Sequence, residues 1–177
     1  MTTEKKKIIL TQRFQAPCGM LVLGSTDDKL CLCDWEVEPH RARVDQRLRK
    51  ILQAEIRWEA SAVTERAAEE LREYFAGRRS QFDIPLRLVG TPFQLSMWHS
   101  LLDIAYGQTL SYADMARRIG RPSAVRAVAN ANGANALSIF VPCHRVIGSD
   151  HSLTGYGGGL DAKRYLLTLE CRTPLNF

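Results

Sequence analysis

Apolar residues near the start of the chain fall into three short runs that turn-forming residues separate. The runs are IILTQRF (8–14), MLVLGS (20–25) and KLCLCDW (29–35), and the segments APCG and STDD divide them. Short apolar runs bounded by Gly, Pro, Ser or Asp are typical of strands joined by turns. This pattern predicts a small antiparallel sheet.

Helical periodicity replaces this alternation in PHRARVDQRLRKIL (39–52). The arginines of this segment fill one face, and the other face carries an apolar stripe of Val44, Leu48, Ile51 and Leu52. A second helix is predicted from Thr64, as its N-cap, to Gly77, as its end. Its apolar side consists of Ala67, Leu71, Tyr74 and Phe75.

The segment GRRSQFDIPLRLVG (77–90) interrupts any long period with two glycines and a proline, which mark loops. We therefore expect it to join an N-terminal domain, residues 1–88, to a C-terminal domain, residues 89–177. The fold class predicted is α+β. A small domain with an antiparallel sheet and helices precedes a mainly helical domain.

The C-terminal half begins with a helix that has clear start signals. In TPFQLSMWHSLLDIAYG (91–107), Thr91 is the predicted cap and Pro92 the first helical residue. The side chains that this helix is expected to bury are Phe93, Trp98 and Leu102.

Two further short helices follow, in SYADMARRIG (111–120) and RPSAVRAVANANG (121–133). Ser111 is the predicted cap of the first, and the second is expected to run from Pro122 to Gly133. Two short helices joined by a brief turn predict a helix-turn-helix. Arg126 stands among small residues on the second helix, which favours either close approach to a nucleic-acid groove or tight packing in a helical core.

Charge and composition restrict the partners only broadly. The chain has 177 residues and a formal charge of +5, with a pI near 9.1, which is compatible with an anionic partner such as DNA. No apolar run reaches bilayer length, and the start MTTEKKKIIL has too short an apolar stretch for a secretory signal. We expect a cytoplasmic protein without a membrane partner.

The five cysteines are odd in number and irregularly spaced, so a disulfide framework is not expected. No CxxC pair is present, and we predict no metal site and no cofactor. Cys31 and Cys33 lie two apart in a strand-like run and are interpreted as small buried hydrophobic residues.

The stretch VPCHRVIG (141–148) places a thiol, an imidazole and a guanidinium in consecutive positions, at Cys143, His144 and Arg145. The preceding LSIFV (137–141) predicts a short buried strand that leads into a proline. A thiol becomes a nucleophile as its thiolate, which a base or a cation favours. On the residues alone, a structural thiol beside a surface histidine stays an open alternative.

The linked blocks of the second half carry a family resemblance. These blocks are TPFQ, SYADMA, RPSAVRAVANANGAN, VPCHRVIG, LTGYGGGLDAKRYLL and the final LE, from about Thr91 to Glu170. In this order they resemble the O6-alkylguanine-DNA alkyltransferases, also called methylated-DNA:protein-cysteine methyltransferases. The resemblance implies a ribonuclease-H-like N-terminal domain and a winged helix-turn-helix in the C-terminal domain.

The resemblance also implies catalytic roles. Cys143 matches the acceptor that takes the alkyl group from O6 of guanine irreversibly. His144 matches the base that acts through a water, and Glu170 matches the carboxylate that orients it. Tyr112 matches the tyrosine that gives a proton to the leaving guanine and crowds the phosphate. Asn135 matches a hinge between the helix-turn-helix and the active-site segment.

Further positions follow from the same match. Arg126 corresponds to a finger that enters the duplex in place of the flipped guanine, and Arg145 to a structural salt-bridge partner. The other DNA-binding positions implied are Tyr112, Ser111, Ala127, Ala129 and Gly133. The positions implied for the extruded base are Tyr156, Gly157, Gly158 and Val146.

The function implied is single-turnover DNA repair by direct reversal with base flipping. The partner implied is duplex DNA containing O6-alkylguanine, which the helix-turn-helix binds in the minor groove, and acceptance of O4-alkylthymine is left open. We expect a monomer, with cooperative binding left open, located on the nucleoid when bound. Two alternatives stay open: a non-catalytic DNA-binding protein, as a lesion sentinel or regulator, and a papain-like thiol hydrolase with turnover.

Overall fold

The computed structural model describes residues 6–171, so the outer ends of both predicted domains lie outside the described residues. The elements in chain order are β1 Lys7–Ala16, β2 Gly19–Thr26, β3 Lys29–Trp35, α1 His40–Leu52, β4 Ala54–Trp58, α2 Ala62–Phe75, α3 Pro92–Leu101, β5 Leu110–Ser111, α4 Tyr112–Arg118, α5 Val125–Gly133, a 3₁₀ turn Cys143–Arg145, β6 Val146–Ile147 and α6 Leu160–Glu170.

The N-terminal sheet has the order β3-β2-β1-β4. The three predicted strands are confirmed and pair antiparallel, whereas β4 runs parallel to β1. The sheet is therefore mixed, and its fourth strand was not predicted. In β4 only Ala54 is buried and Trp58 is exposed, so this edge strand lacks the apolar run that would have indicated it.

The helix α1 departs from its predicted stripe at two positions. Ile51 is 49% exposed, so its assignment to the buried face is wrong, while Val44, Leu48 and Leu52 are buried as predicted. Arg41, expected on the solvated face, is buried because it pairs with Asp45 and lies near the buried Asp34.

The N-cap of helix α2 lies three residues earlier in the chain than predicted. Ser61, and not Thr64, is the N-cap, and the Ser61 Oγ atom accepts a hydrogen bond from the Thr64 amide at 3.0 Å. The Thr64 hydroxyl in turn accepts one from the Ser61 amide at 2.8 Å. Thr64 is instead the third helical residue, and its hydroxyl completes the capping box with Ser61.

The start signals of the C-terminal helices are confirmed. Thr91 caps α3 with Pro92 as its first residue, and Ser111 caps α4, each in a reciprocal exchange with the third helical residue. The predicted burial of Leu102 is wrong, since α3 ends at Leu101 and Leu102 is 45% exposed. Trp98 is buried and donates from Nε1 to the Ala131 carbonyl in α5 at 2.8 Å.

The segments on either side of α5 differ from the prediction. The helix begins at Val125, and Pro122 lies in the preceding turn, which the Ala124 amide closes by donating to the Arg121 carbonyl. The segment 137–141 is buried as predicted but is not a strand. Ile139 has a φ of +74°, and the Val141 amide donates back to the Leu137 carbonyl, which makes the segment a compact turn.

One buried apolar cluster draws residues from both sides of the predicted boundary at residue 88, including Leu21, Trp35, Tyr74, Met115 and Cys143. The turn 137–141 also docks on β3, where the Cys33 amide donates to the Ala136 carbonyl at 2.8 Å. The N-terminal sheet thereby supports the segment that carries Cys143. Within residues 6–171, no helix has the length and apolar character to cross a bilayer.

Candidate active site

Two buried asparagines of the α5 region hold the turn that carries Cys143. Asn135 Nδ2 donates to the Val141 carbonyl at 2.9 Å, and its Oδ1 accepts from the Leu137 amide at 3.0 Å. Asn132 Nδ2 donates to the carbonyl of Cys143 itself at 3.2 Å. The end of α5 is therefore tied directly to the reactive segment, which places Asn135 where the predicted hinge would be. Asn132 was not predicted.

The residues that follow Cys143 face a single buried carboxylate at the end of α6. His144 Nε2 lies 2.8 Å from Glu170 Oε1, and Arg145 donates to Glu170 from Nε at 2.8 Å and from Nη2 at 2.9 Å. The Tyr74 hydroxyl donates to the same carboxylate at 2.7 Å. Glu170 is 3% exposed, so these bonds are made in a nearly dry environment.

This environment sets the charge of the imidazole and the carboxylate. Burial alone would raise the pKa of Glu170, but the charges and hydrogen bonds of His144 and Arg145 outweigh it and lower the pKa well below the ordinary value. Burial lowers the pKa of His144, and Glu170 opposes that shift. At neutral pH the imidazole of His144 is therefore neutral and the carboxylate of Glu170 is ionised. The neutral imidazole is able to accept a proton on Nδ1, the ring nitrogen that does not face Glu170.

The thiol of Cys143 is 4% exposed and is held in its protonated form. Burial raises its pKa, while a hydrogen bond from Asn135 and the charge of Lys163 act in the opposite direction. Nucleophilic attack therefore requires a base. Nδ1 of His144 is buried and makes no hydrogen bond to any side chain or backbone group within residues 6–171, so this nitrogen is available to the thiol proton.

Lys163 is a fully buried cation at the site that the sequence reading missed. Its Nζ atom donates to the Val146 carbonyl at 2.7 Å and to the Thr154 carbonyl at 3.0 Å. Burial lowers its pKa to about 8. Lys163 lies one and two turns from Leu166, Leu167 and Glu170 on α6, so helical periodicity could have placed it on the buried face.

Tyr112 connects α4 to the loop after β6. It is the first residue after the Ser111 cap, and its hydroxyl donates to the Thr154 carbonyl at 3.2 Å. Burial raises the pKa of this phenol, so the hydroxyl keeps its proton at neutral pH. Tyr112 and Lys163 thus hold the same loop carbonyl from two elements.

The loop that follows places Tyr156 beside the N-terminal sheet. The Tyr156 ring packs edge-on against Trp35, with ring centroids 5.9 Å apart. The family resemblance implies that Gly157 and Gly158 of this loop contact the extruded base. In the structure, the space that side chains at Gly157 and Gly158 would need is occupied by His40 and Trp35. Val146, the other predicted base contact, is buried and faces Lys163 through its carbonyl.

The exposed side of α5 borders an open groove of about 780 Å³ between that helix, the loop and the start of α1. Among the predicted DNA-binding residues, the groove is lined by Tyr112, Arg126, Ala129 and Gly133, and Tyr156 and Gly157 form its far side. Arg126 and Ala127 are exposed, whereas Ser111 is partly buried as the cap of α4. The structure thus brings six of the predicted DNA-facing and base-facing residues to one groove, whereas the other four, Ser111, Ala127, Val146 and Gly158, do not line it.

Comparisons with known proteins agree with this arrangement. The family model described as 6-O-methylguanine DNA methyltransferase, DNA binding domain, matches residues 92–172. The methylated-DNA–protein-cysteine methyltransferase of Mycolicibacterium paratuberculosis is 45% identical over 160 residues, which cover 89% of each chain. A crystal structure of Mycobacterium tuberculosis O6-methylguanine methyltransferase has a TM-score of 0.77 at 40% identity, covering 95% of this chain and 96% of that one.

A second structure of the M. tuberculosis protein, in complex with DNA, has a TM-score of 0.76 at 40% identity and covers 92% of each chain. These similarities extend over nearly the whole chain and define its class, a mixed α+β protein with a DNA-binding-type C-terminal half. The chain belongs to the methylated-DNA–protein-cysteine methyltransferase family. The resemblance inferred from the linked sequence blocks is confirmed.

Proposed function

We propose that this protein repairs DNA by direct reversal, moving the alkyl group from O6 of guanine to Cys143 once per molecule. The observation that carries the proposal is the buried chain of groups in which Glu170 holds His144 at 2.8 Å while the other ring nitrogen stays free. A nucleophile, a base and a group that orients the base are what cysteine alkylation at neutral pH requires.

The proposed transfer begins when His144 Nδ1 takes the proton of the Cys143 thiol through a bridging water, and the sulfur then attacks the alkyl carbon. The sulfur–carbon bond forms as the carbon–O6 bond breaks, and the Tyr112 hydroxyl gives a proton to the leaving guanine. The imidazolium then passes its proton to Tyr112. The products are a neutral thioether, which is not reversed, and an intact guanine.

The buried position of Cys143 supports base flipping, because an O6 atom inside a stacked duplex cannot reach a sulfur that is 4% exposed. The small side chains of Ala127, Ala129 and Gly133 permit close approach of α5 to the minor groove. Arg126, exposed at the edge of the groove, is the side chain proposed to enter the duplex. The formal charge of +5 supplies attraction to phosphates that does not depend on sequence.

The extruded base is proposed to lie against the loop that Tyr112 and Lys163 hold. Tyr156, Gly157 and Gly158 would then face the base from one side, with the backbone of Val146 on the other. Ser111 contributes by fixing the start of α4, and with it Tyr112.

The direct test is incubation with a duplex that carries labelled O6-methylguanine. We expect label to move to the protein up to one equivalent, with Cys143→Ala inert yet still able to bind the duplex. Cys171→Ala, which changes a partly exposed thiol at the end of α6, is the matched control and should transfer normally. Repeated turnover, or label on the Cys143→Ala variant, would contradict the proposal, and binding without transfer in the wild type would indicate a lesion sentinel.

A further inference from the structure

The loop that carries Tyr156 rests on two side chains of the N-terminal half. A Cβ atom on Gly157 would lie 2.8 Å from Nε2 of His40, and one on Gly158 would lie 2.5 Å from the Trp35 ring. Such short contacts exclude a side chain while both rings stay in place. The φ angle of Gly157 is outside the left-handed region, so the neighbouring ring, and not the backbone conformation, requires glycine there.

The His40 ring is anchored and cannot simply turn aside. It is the first residue of α1, and its Nε2 atom lies 3.0 Å from Oδ1 of Asp34, whose side chain is fully buried. The other oxygen of this carboxylate makes no hydrogen bond to any group in the described part of the chain and lies 3.8 Å from Nη1 of Arg41. Rotation of the ring would leave both oxygens of a buried carboxylate without a hydrogen bond, which is strongly unfavourable.

The same ring borders the groove proposed to receive DNA. His40 lines it together with Tyr112, Arg126, Tyr156 and Gly157. The N-terminal half therefore contributes a wall to the groove, and His40 in this wall packs against the glycine-rich loop at Gly157.

We propose that His40, held by Asp34, is a positioning residue for alkyl transfer. It sets where the loop backbone runs at Gly157 and thereby keeps Tyr156 against Trp35, next to the segment of Cys143. This inference rests on the proposed function and adds to it a role for the N-terminal half. His40 acts through the loop and takes no part in bond making. If the pair with Asp34 only anchored α1, replacement of His40 would not relieve the effect of a side chain at Gly157.

The test is a second-site rescue measured by single-turnover transfer from a methylated duplex. Gly157→Ala should slow transfer about tenfold or more at saturating DNA, which corresponds to about 1.4 kcal/mol in the barrier. Adding His40→Ala should restore the rate to within about threefold of His40→Ala alone, because the space for the new methyl group is then open. Half-saturation by DNA should change less than the rate at saturating DNA, because the exposed face of α5, which is proposed to contact the duplex, is not altered.

Gly158→Ala is the matched control, because its methyl group would meet Trp35 and should not be relieved by His40→Ala. Transfer at the wild-type rate in Gly157→Ala, no rescue by His40→Ala, equal rescue of Gly158→Ala, or a loss confined to DNA binding would each overturn the inference. If His40→Ala fails to fold, Asp34→Asn weakens the anchor instead, and the Asp34→Asn, Gly157→Ala pair must then transfer faster than Gly157→Ala alone.

Thermal melting of the same variants separates this inference from the proposed function. If the wild type takes no label in the transfer assay, the proposed function is wrong. The clash at Gly157 would still lower the melting temperature in that case, and His40→Ala would still relieve this loss. Additive melting shifts, with no coupling between the two positions, would overturn the contact itself.

Discussion

Replacing Glu170 with glutamine removes one charge from the centre of the site and leaves the shape nearly unchanged. Among the described residues, the Oε1 atom accepts hydrogen bonds from His144 Nε2, Arg145 Nη2 and the Tyr74 hydroxyl, whereas Oε2 accepts one from Arg145 Nε alone. The glutamine oxygen is therefore expected at the Oε1 position. Its amide group would then face the Arg145 donor, so one hydrogen bond and the counter-charge of a buried guanidinium are lost.

The expected cost follows from burial of this pair. Glu170 and Arg145 are both largely excluded from solvent, and removal of one partner from a buried ion pair destabilises a protein by about 3–5 kcal/mol. Arg145 retains its bond from Nη1 to the Ile104 carbonyl, which favours the lower part of that range. For a chain of this size we expect a melting temperature lower by about 10 °C.

The assay is urea denaturation of the two proteins, with Glu69→Gln as the matched control. Glu69 pairs with Arg72 on the exposed surface of α2, where loss of one charge should change the free energy of unfolding by less than about 1 kcal/mol. A Glu170→Gln variant within about 1 kcal/mol of the wild type would refute the view that this carboxylate holds the site together.

The pH dependence of this difference has a definite sign. The pKa of Glu170 is lowered in the folded protein, so its contribution is present above the unfolded value of about 4.3 and is lost as the pH falls below it. The gap in stability between wild type and Glu170→Gln should therefore narrow below about pH 4 and stay constant from pH 6 to about 7. A gap that widens in acid would contradict the assigned charge state.

Three further predictions concern other parts of the molecule. Burial lowers the pKa of Lys163 to about 8, so the wild type should gain up to about 3 kcal/mol relative to Lys163→Met as the pH rises from 8 towards 10.5, measured by urea denaturation. A flat difference would contradict a buried ammonium. Ser61→Ala should lower the free energy of unfolding by about 1 kcal/mol through loss of the α2 cap, and an unchanged value would contradict that cap. Arg126→Ala should slow transfer from duplex DNA while leaving transfer from a free O6-alkylguanine base unchanged, and equal losses would count against insertion into the duplex.

The features that the sequence predicted well depend on local chemistry. The caps Thr91 and Ser111 need only a hydroxyl and a partner three residues on, so both were predictable from short segments. Cys143, His144 and Arg145 are adjacent in the chain, so they lie close together in any fold. Glu170, the shared partner of His144 and Arg145, was predicted only from the family resemblance, because no local sequence pattern links it to these two residues.

The features that were missed depend on contacts distant in sequence. Tyr74 was predicted as an apolar core residue, yet its hydroxyl bonds to Glu170 from a different half of the chain. The turn at Ile139 has the composition of a strand, and its docking on β3 overrides that propensity. The contact between His40 and Gly157 joins the start of α1 to the loop before α6, and these two segments meet only in the folded protein.

The proposed repair requires that the sulfur of Cys143 receives the alkyl group of a flipped guanine and keeps it. Peptide mass spectrometry after incubation with an O6-methylguanine duplex detects this modification. We expect one added methyl group on the Cys143 peptide, with Cys33 and Cys171 unmodified and the guanine restored in the DNA. An unmodified Cys143 in a sample whose DNA has been repaired, or a methyl group on another residue, would contradict it.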